Sequence, residues 1–249
     1  MSFSKELFKA INKSLKYCFN SELAPSQSNE EKEEQFSFID YINKHPETYS
    51  QIYQDLFVQF LLKNKRQGFF VEFGATNGVT LSNTYLLEKN YDWNGILAEP
   101  AKCWQHALSE NRNCTIDHRC VWKKTGENFK FSEVEGDAEL STLHDFSHSS
   151  EKASSSKKIY DVDTISLNDL LKEHNAPRHI DYMSVDTEGS EFEILSALDF
   201  NRWDIQIITV EHNYSPNRKK IHKLLTSKGY SRKFQPMSRW DDWYVKTKS

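Results

Sequence analysis

Residues 69–100, FFVEFGATNGVTLSNTYLLEKNYDWNGILAEP, set two short apolar runs, each ending on a glutamate, around a glycine-containing loop and a helix-like segment. An apolar run of strand length, then a glycine loop, helical spacing and a second apolar run is the pattern of a strand–helix–strand unit. Repeated units of this kind build a parallel sheet with helices on both faces, and such sheets bind ligands beyond the carboxyl ends of their strands. Position therefore converts into function. The strand ends to inspect are 72–78, 99, 120–122, 186–191 and 211–213.

The alternation runs through most of the chain. A helix with Ile52, Leu56, Phe57 and Phe60 inward ends at Gly68, before the strand FFVEF. NGILAE, CTIDHRCVW, IDYMSVD and IQIITVEHN read as further strands, and PAKCWQHALSENRN, SLNDLLKEHNAP, EGSEFEILSAL and PNRKKIHKLLTSK as helices. Ser166 with Asp169 forms a capping box, and Ser215, Pro216 and Gly229 frame the last helix. The tail YSRKFQPMSRWDDWYVKT predicts two final strands joined by a turn.

Residues 1–35 read as an extension and 36–249 as the main domain. Phe3, Leu7, Ile11 and Leu15 share one helical face, with Lys5, Lys9, Lys13 and Lys16 on the others, so this helix is expected to pack on its own domain or on a second copy in a homodimer. The acidic SQSNEEKEEQ reads as a connector. The serine-rich DFSHSSEKASSSKK at 145–158 is an insertion over the ligand edge, a flexible loop or a lid.

Lys plus Arg number 32 and Asp plus Glu 36, so a net charge of -4 provides no general field for nucleic acid. The four cysteines show neither C-x-x-C spacing nor the density of a disulfide-stapled domain, which predicts reduced thiols. No run is long and apolar enough for a signal peptide or a transmembrane segment, and a cytoplasmic location is expected.

The loop after the first strand reads E-x-G-x-x-x-G through Glu72, Gly74 and Gly78, not the G-x-G-x-x-G of dinucleotide-binding folds. A wider loop suits a ligand without a pyrophosphate and with an amino-acid end, which favours S-adenosylmethionine (SAM) over NAD. Glu99, ending the second strand, is placed to hold both ribose hydroxyls. A nicotinamide oxidoreductase lacks its third glycine here. A non-catalytic scaffold on the same fold would show a damaged loop or a lost acidic centre, and neither is seen.

The stretches GFFVEFGATNGVTLSNTYLLEKNYDWNGILAEP, TISLNDLLKEHNAPRHIDYMSVDTEGSEFEIL, ITVEHN and DDWYV resemble the FkbM family of SAM-dependent O-methyltransferases, over residues 50–245. The resemblance implies an α/β, Rossmann-like class I methyltransferase fold, a seven-stranded, mostly parallel sheet with its last strand antiparallel. It also implies SAM as cofactor and a hydroxyl acceptor on a small molecule or glycan. Carried onto this chain, Glu72, Gly74, Ala75, Asn77 and Gly78 would enclose the methionine end of SAM, with Ser82, Asn83 and Thr84 at its carboxylate. Glu99 would take the ribose, and Cys120 and Val121 would flank the adenine.

Asp186, Glu188 and Glu191 in DTEGSE form the expected acidic centre. Similarity to metal-dependent sugar and catechol methyltransferases implies a divalent ion on Asp186, Glu211 and His212 or Asn213, and such oxygen-rich ligands suit Mg²⁺ or Mn²⁺. Without metal, His212 or Glu188 is the expected base. Trp240 and Tyr214 are candidates for a stacking face, whereas Trp243 is expected in the core.

Overall fold

The computed structural model describes residues 28–134, 141–143 and 157–247. The N-terminal amphipathic segment and residues 145–156 of the serine-rich insertion lie outside the described residues. From Asn29 on the acidic connector is helix. Ser28 caps α1 (Asn29–Lys44), its hydroxyl accepting from the Glu31 amide while the Glu31 carboxylate accepts from the Ser28 amide. That reciprocal cap, with glutamates at the positive end of the helix dipole, makes a helix start of a run that reads as a linker by charge alone. Gln35, Phe38 and Ile42 turn inward, so the boundary expected after residue 35 falls inside a helix of the main domain.

Next come α2 (Gln54–Leu61), β1 (Phe69–Phe73), α3 (Tyr85–Tyr91), β2 (Asn94–Ala98), α4 (Gln105–Asn111) and β3 (Thr115–Asp117). After them stand β4 (Cys120–Trp122), β5 (Asn128–Val134), β6 (Thr142–Leu143), β7 (Lys157–Ser166), α5 (Leu167–Glu173) and β8 (His179–Val185). The chain finishes with α6 (Glu191–Ser196), β9 (Asp204–Glu211), α7 (Asn217–Ser227), β10 (Tyr230–Lys233), α8 (Gln235–Ser238) and β11 (Asp241–Lys246).

The main sheet has seven strands in the order β3-β2-β1-β8-β9-β11-β10. Neighbours from β3 to β9 are parallel, and β11 runs antiparallel to both β9 and β10. The Rossmann-like class I methyltransferase architecture is therefore present, including the antiparallel last strand. Its central strands are buried on both faces, which is why they read as nearly continuous apolar runs. One core packs Leu170, Leu195 and Leu225 of α5, α6 and α7 on the sheet, and the other packs Phe38 and Phe57 of α1 and α2 with Phe234 and Trp243. Phe57 and Trp243 lie 4.6 Å apart by ring centroid, so Trp243 belongs to the core.

The predicted third strand, CTIDHRCVW, is two strands in different sheets. The Asp117 carboxylate accepts from the Arg119 amide and guanidinium, turning the chain after β3. β4 then joins a second sheet, ordered β4-β7-β5-β6. Residues 157 and 158 of the expected loop begin β7. Among the described residues no helix is long and apolar enough to cross a membrane.

Candidate active site

β1 ends by passing close to the end of β8. Gly74 has φ +72°, and a Cβ there would stand 2.2 Å from the Asp186 carbonyl oxygen, so only glycine permits the approach. The Thr76 amide then donates to Glu99 Oε2 at 2.8 Å, and the Ala101 amide donates to Glu99 Oε1 at 2.8 Å. Both bonds hold the carboxylate at the end of β2. Burial outweighs them and pushes Glu99 up to about 7, with the charges of Asp186 and Glu133 adding to the rise.

Gly74, Thr76, Glu99 and Asp186 line a cavity of about 370 Å³. Gly74, Ser82, Asn83, Glu99, Cys120 and Val121 all border it, as do Asp186, Glu188 and Glu211. Cys120 is buried, and its thiol is raised to about 12 by that burial and by Glu99, so it is an apolar wall and not a nucleophile. Asn83 donates its amide to Ser184 at 2.8 Å, while its Oδ1 is buried without a partner. An orphan acceptor beside the glycine loop fits the α-ammonium group of SAM, and Glu99 fits its ribose.

Other residues expected to touch SAM do not border the cavity. Glu72 is buried behind the loop, accepting from the Asn83 amide at 2.7 Å and from the hydroxyls of Ser82 and Thr84. Arg112, wholly buried, completes the knot with Glu88 at 2.7 Å and Thr84 at 2.9 Å. Thr84 thus acts with Glu72 as an anchor. Ala75 is buried, and a Cβ on Gly78 would meet Leu108 and Arg112 at 2.7 Å, so Gly78 serves helix packing. Asn77 closes its own turn, accepting from the Val79 and Thr80 amides.

The acidic centre differs from expectation in one ligand. Asp186, Glu188 and Glu211 each present an oxygen within 4.8 Å of the others, a grouping able to hold a cation. Glu188 reaches it from a left-handed backbone (φ 55°), and the Asn213 side-chain amide donates to it at 3.3 Å. Glu191 stands aside, tying the turn through the amides of Thr187 and Gly189. Asp186 and Glu211 face each other across this centre. Burial raises both, and the charges of Asp186 and Glu188 raise Glu211 further.

His212 is a correction. Its Nδ1 accepts from the Tyr214 amide at 2.9 Å, which places the ring proton on Nε2, 3.7 Å from Asp242 Oδ1. No lone pair remains for a metal or for a substrate proton. The ring is buried away from the cavity.

Gln51, Gln54, Phe131, Trp240 and Asp241 also line the cavity and were not singled out as ligand contacts, apart from Trp240 as a stacking candidate. Asp241 had a legible signal: β11 is antiparallel, so its first residue lies at the edge where the parallel strands end, opposite Glu211. Burial, then the Asp186 charge, pushes Asp241 up to about 8. Tyr214 is exposed and does not border the cavity.

No curated protein matches the sequence at a significant level. Among solved structures, precorrin-6y C5,15-methyltransferase from Geobacter metallireducens GS-15 is 12% identical, with 77% of this chain and 85% of that chain covered and a TM-score of 0.40. The METTL16 MTase domain is 10% identical, with 77% and 64% covered and a TM-score of 0.43. CurJ carbon methyltransferase is 9% identical, with 79% and 54% covered and a TM-score of 0.41. A family model described as the methyltransferase FkbM domain matches residues 72–232, which include the glycine loop, Glu99 and the acidic centre. The chain belongs to the FkbM methyltransferase domain family and is a SAM-dependent methyltransferase.

Proposed function

We propose that this methyltransferase acts on oxygen, moving the methyl group of SAM to a hydroxyl of a sugar or glycan, with Mg²⁺ or Mn²⁺ held by Asp186, Glu188 and Glu211. The observation that carries the reading is the approach of three carboxylates within 4.8 Å in the cavity that Gly74 and Glu99 also line. An alcohol is a poor nucleophile until its proton is withdrawn, and an all-oxygen donor set suits a hard divalent ion. Such an ion supplies acidification of a bound hydroxyl.

The chain's own residues supply alignment, which is most of what a direct displacement at a sulfonium methyl requires. Glu99 accepts from the ribose hydroxyls while its second lone pairs stay on the Thr76 and Ala101 amides. Cys120, Val121 and Phe131 give the adenine apolar walls. Asn83 Oδ1 accepts a hydrogen bond from the ammonium group. Glu72 and Arg112 hold the 82–84 turn in place from behind.

The test is incubation with SAM carrying a carbon-13 methyl group and fractionated glycans. The carbon-13 shift of the product distinguishes methyl on oxygen from methyl on nitrogen or carbon. Methyl on oxygen is expected, with turnover abolished by chelation and restored by Mg²⁺ or Mn²⁺. Methyl on nitrogen or carbon, or turnover indifferent to chelator, overturns the proposal.

A further inference from the structure

The cavity has a second wall. Gln51 and Gln54 come from the turn before α2 and the first residue of that helix, and Trp240 and Asp241 come from the start of β11. The turn is built firmly: the Asp55 carboxylate accepts from Thr48 Oγ1 at 2.7 Å, the Tyr49 amide at 2.9 Å and Ser50 Oγ at 2.6 Å. Two bonds then join the segments, Trp240 Nε1 to Gln51 Oε1 at 3.0 Å and Gln54 Nε2 to Asp241 Oδ2 at 2.8 Å. With its oxygen taken by Trp240, Gln51 keeps two N–H donors in reserve. An indole, an amide donor and a carboxylate acceptor together offer one apolar face and a hydrogen-bonding edge, the complement of a hydroxylated ring.

Charge narrows the choice of ring. Five carboxylates line the cavity, Glu99, Asp186, Glu188, Glu211 and Asp241, and among the described residues no Lys, Arg or His lines it. A divalent ion on three of the five leaves a negative remainder. A carboxylate or phosphate entering beside the reacting hydroxyl would meet like charge, with no cationic side chain among the described lining residues to offset it.

We propose that Gln51, Gln54, Trp240 and Asp241 form the acceptor-recognising wall, and that it admits hydroxylated rings bearing no negative charge next to the methylated position. This inference rests on reading the cavity as a methyl-transfer site. The test is saturation-transfer NMR on the full chain with S-adenosylhomocysteine and Mg²⁺. Its probes are methyl glucopyranoside and methyl mannopyranoside against the matching uronic acids and 6-phosphates. Saturation of the neutral glycosides alone is expected, lost in Trp240→Ala and in Gln51→Ala.

Calorimetry with S-adenosylhomocysteine on each variant separates the two readings. If the wild type does not bind it, the methyl-transfer reading fails and this one with it. If it binds while the anionic probes saturate as well as the neutral ones, or no probe saturates, this inference alone is overturned.

Discussion

Glu99 offers a pH dependence whose sign the structure determines. Its carboxyl is raised to about 7, chiefly by burial. Holding two ribose hydroxyls requires the ionised form, so SAM affinity should rise with pH and level off above about 8. At pH 5.5 about 3% of Glu99 is ionised, which predicts a dissociation constant roughly thirtyfold above the plateau, or about 2 kcal/mol. Binding near pH 6 should release close to one proton, measurable by calorimetry in two buffers of different ionisation enthalpy. Folding has the opposite sign. The folded value lies above the ordinary one of about 4.5, so the ligand-free protein loses about 3 kcal/mol as pH climbs from about 4.5 to 7. Glu99→Gln isolates the group from its acidic neighbours: a single amide oxygen cannot serve both the Thr76 and Ala101 amides, and one orphaned N–H costs about 1–3 kcal/mol. The variant should bind SAM ten- to a hundredfold more weakly, on the scale of about 1.4 kcal/mol per tenfold, with a flatter pH profile. A wild-type dissociation constant that does not change between pH 5.5 and 8.5, or a variant with the wild-type slope, would refute the assignment.

Three further outcomes are expected. Gly74→Ala places a methyl against the Asp186 carbonyl from a left-handed backbone, and thermal unfolding should register a loss of at least about 2 kcal/mol together with loss of SAM binding. Arg112→Met strips the cation from buried Glu72 and Glu88 and should destabilise by about 3–5 kcal/mol in denaturant titration, with Arg112→Lys intermediate because it keeps the charge without the fork. Asp186, Glu211 and Asp241 are all raised, so the metal-free protein should lose thermal stability as pH rises from about 4 towards 8. Mg²⁺ or Mn²⁺ should raise the melting temperature more at pH 8 than at pH 5, and equal shifts would count against a cation at this centre.

Sequence legibility followed burial. Strands buried on both faces, such as FFVEF and IQIITVE, announce themselves as apolar runs, and Gly74 and Glu99 follow from position at their ends. The second sheet is hidden because its strands interleave polar with apolar residues, as Asn128, Lys130 and Ser132 alternate with Phe129 and Phe131 in NFKFSEV, and the serine-rich neighbour reads as loop. Its period-two pattern was the signal, and it matters because Phe131 comes from there. Glu72 misled for a different reason: a glutamate one residue before the end of a strand and a glutamate facing a ligand look alike in sequence. Only the distant Arg112, Ser82 and Thr84 show it to be an anchor.

The same period explains why the acidic centre takes Glu188 and leaves His212. Side chains alternate across a strand, and the β9–β11 ladder continues past its last named residue, the His212 amide bonding the Trp240 carbonyl at 2.8 Å. With Glu211 aimed into the cavity, His212 must face the other side, where its Nε2 lies 3.7 Å from Asp242, itself paired with Arg218 and Arg232. Adjacent residues can share a site only once the backbone leaves extended geometry, which here happens at Asn213, with φ 42°. Asn213 does return to the cavity, yet it brings an amide, which steadies Glu188. The third carboxylate therefore comes from the turn after β8, where left-handed Glu188 and the following Gly189 bend the chain back over Asp186. In DTEGSE the left-handed turn at Glu188, continued by Gly189 with φ 122°, is what brings the second acid back to the first.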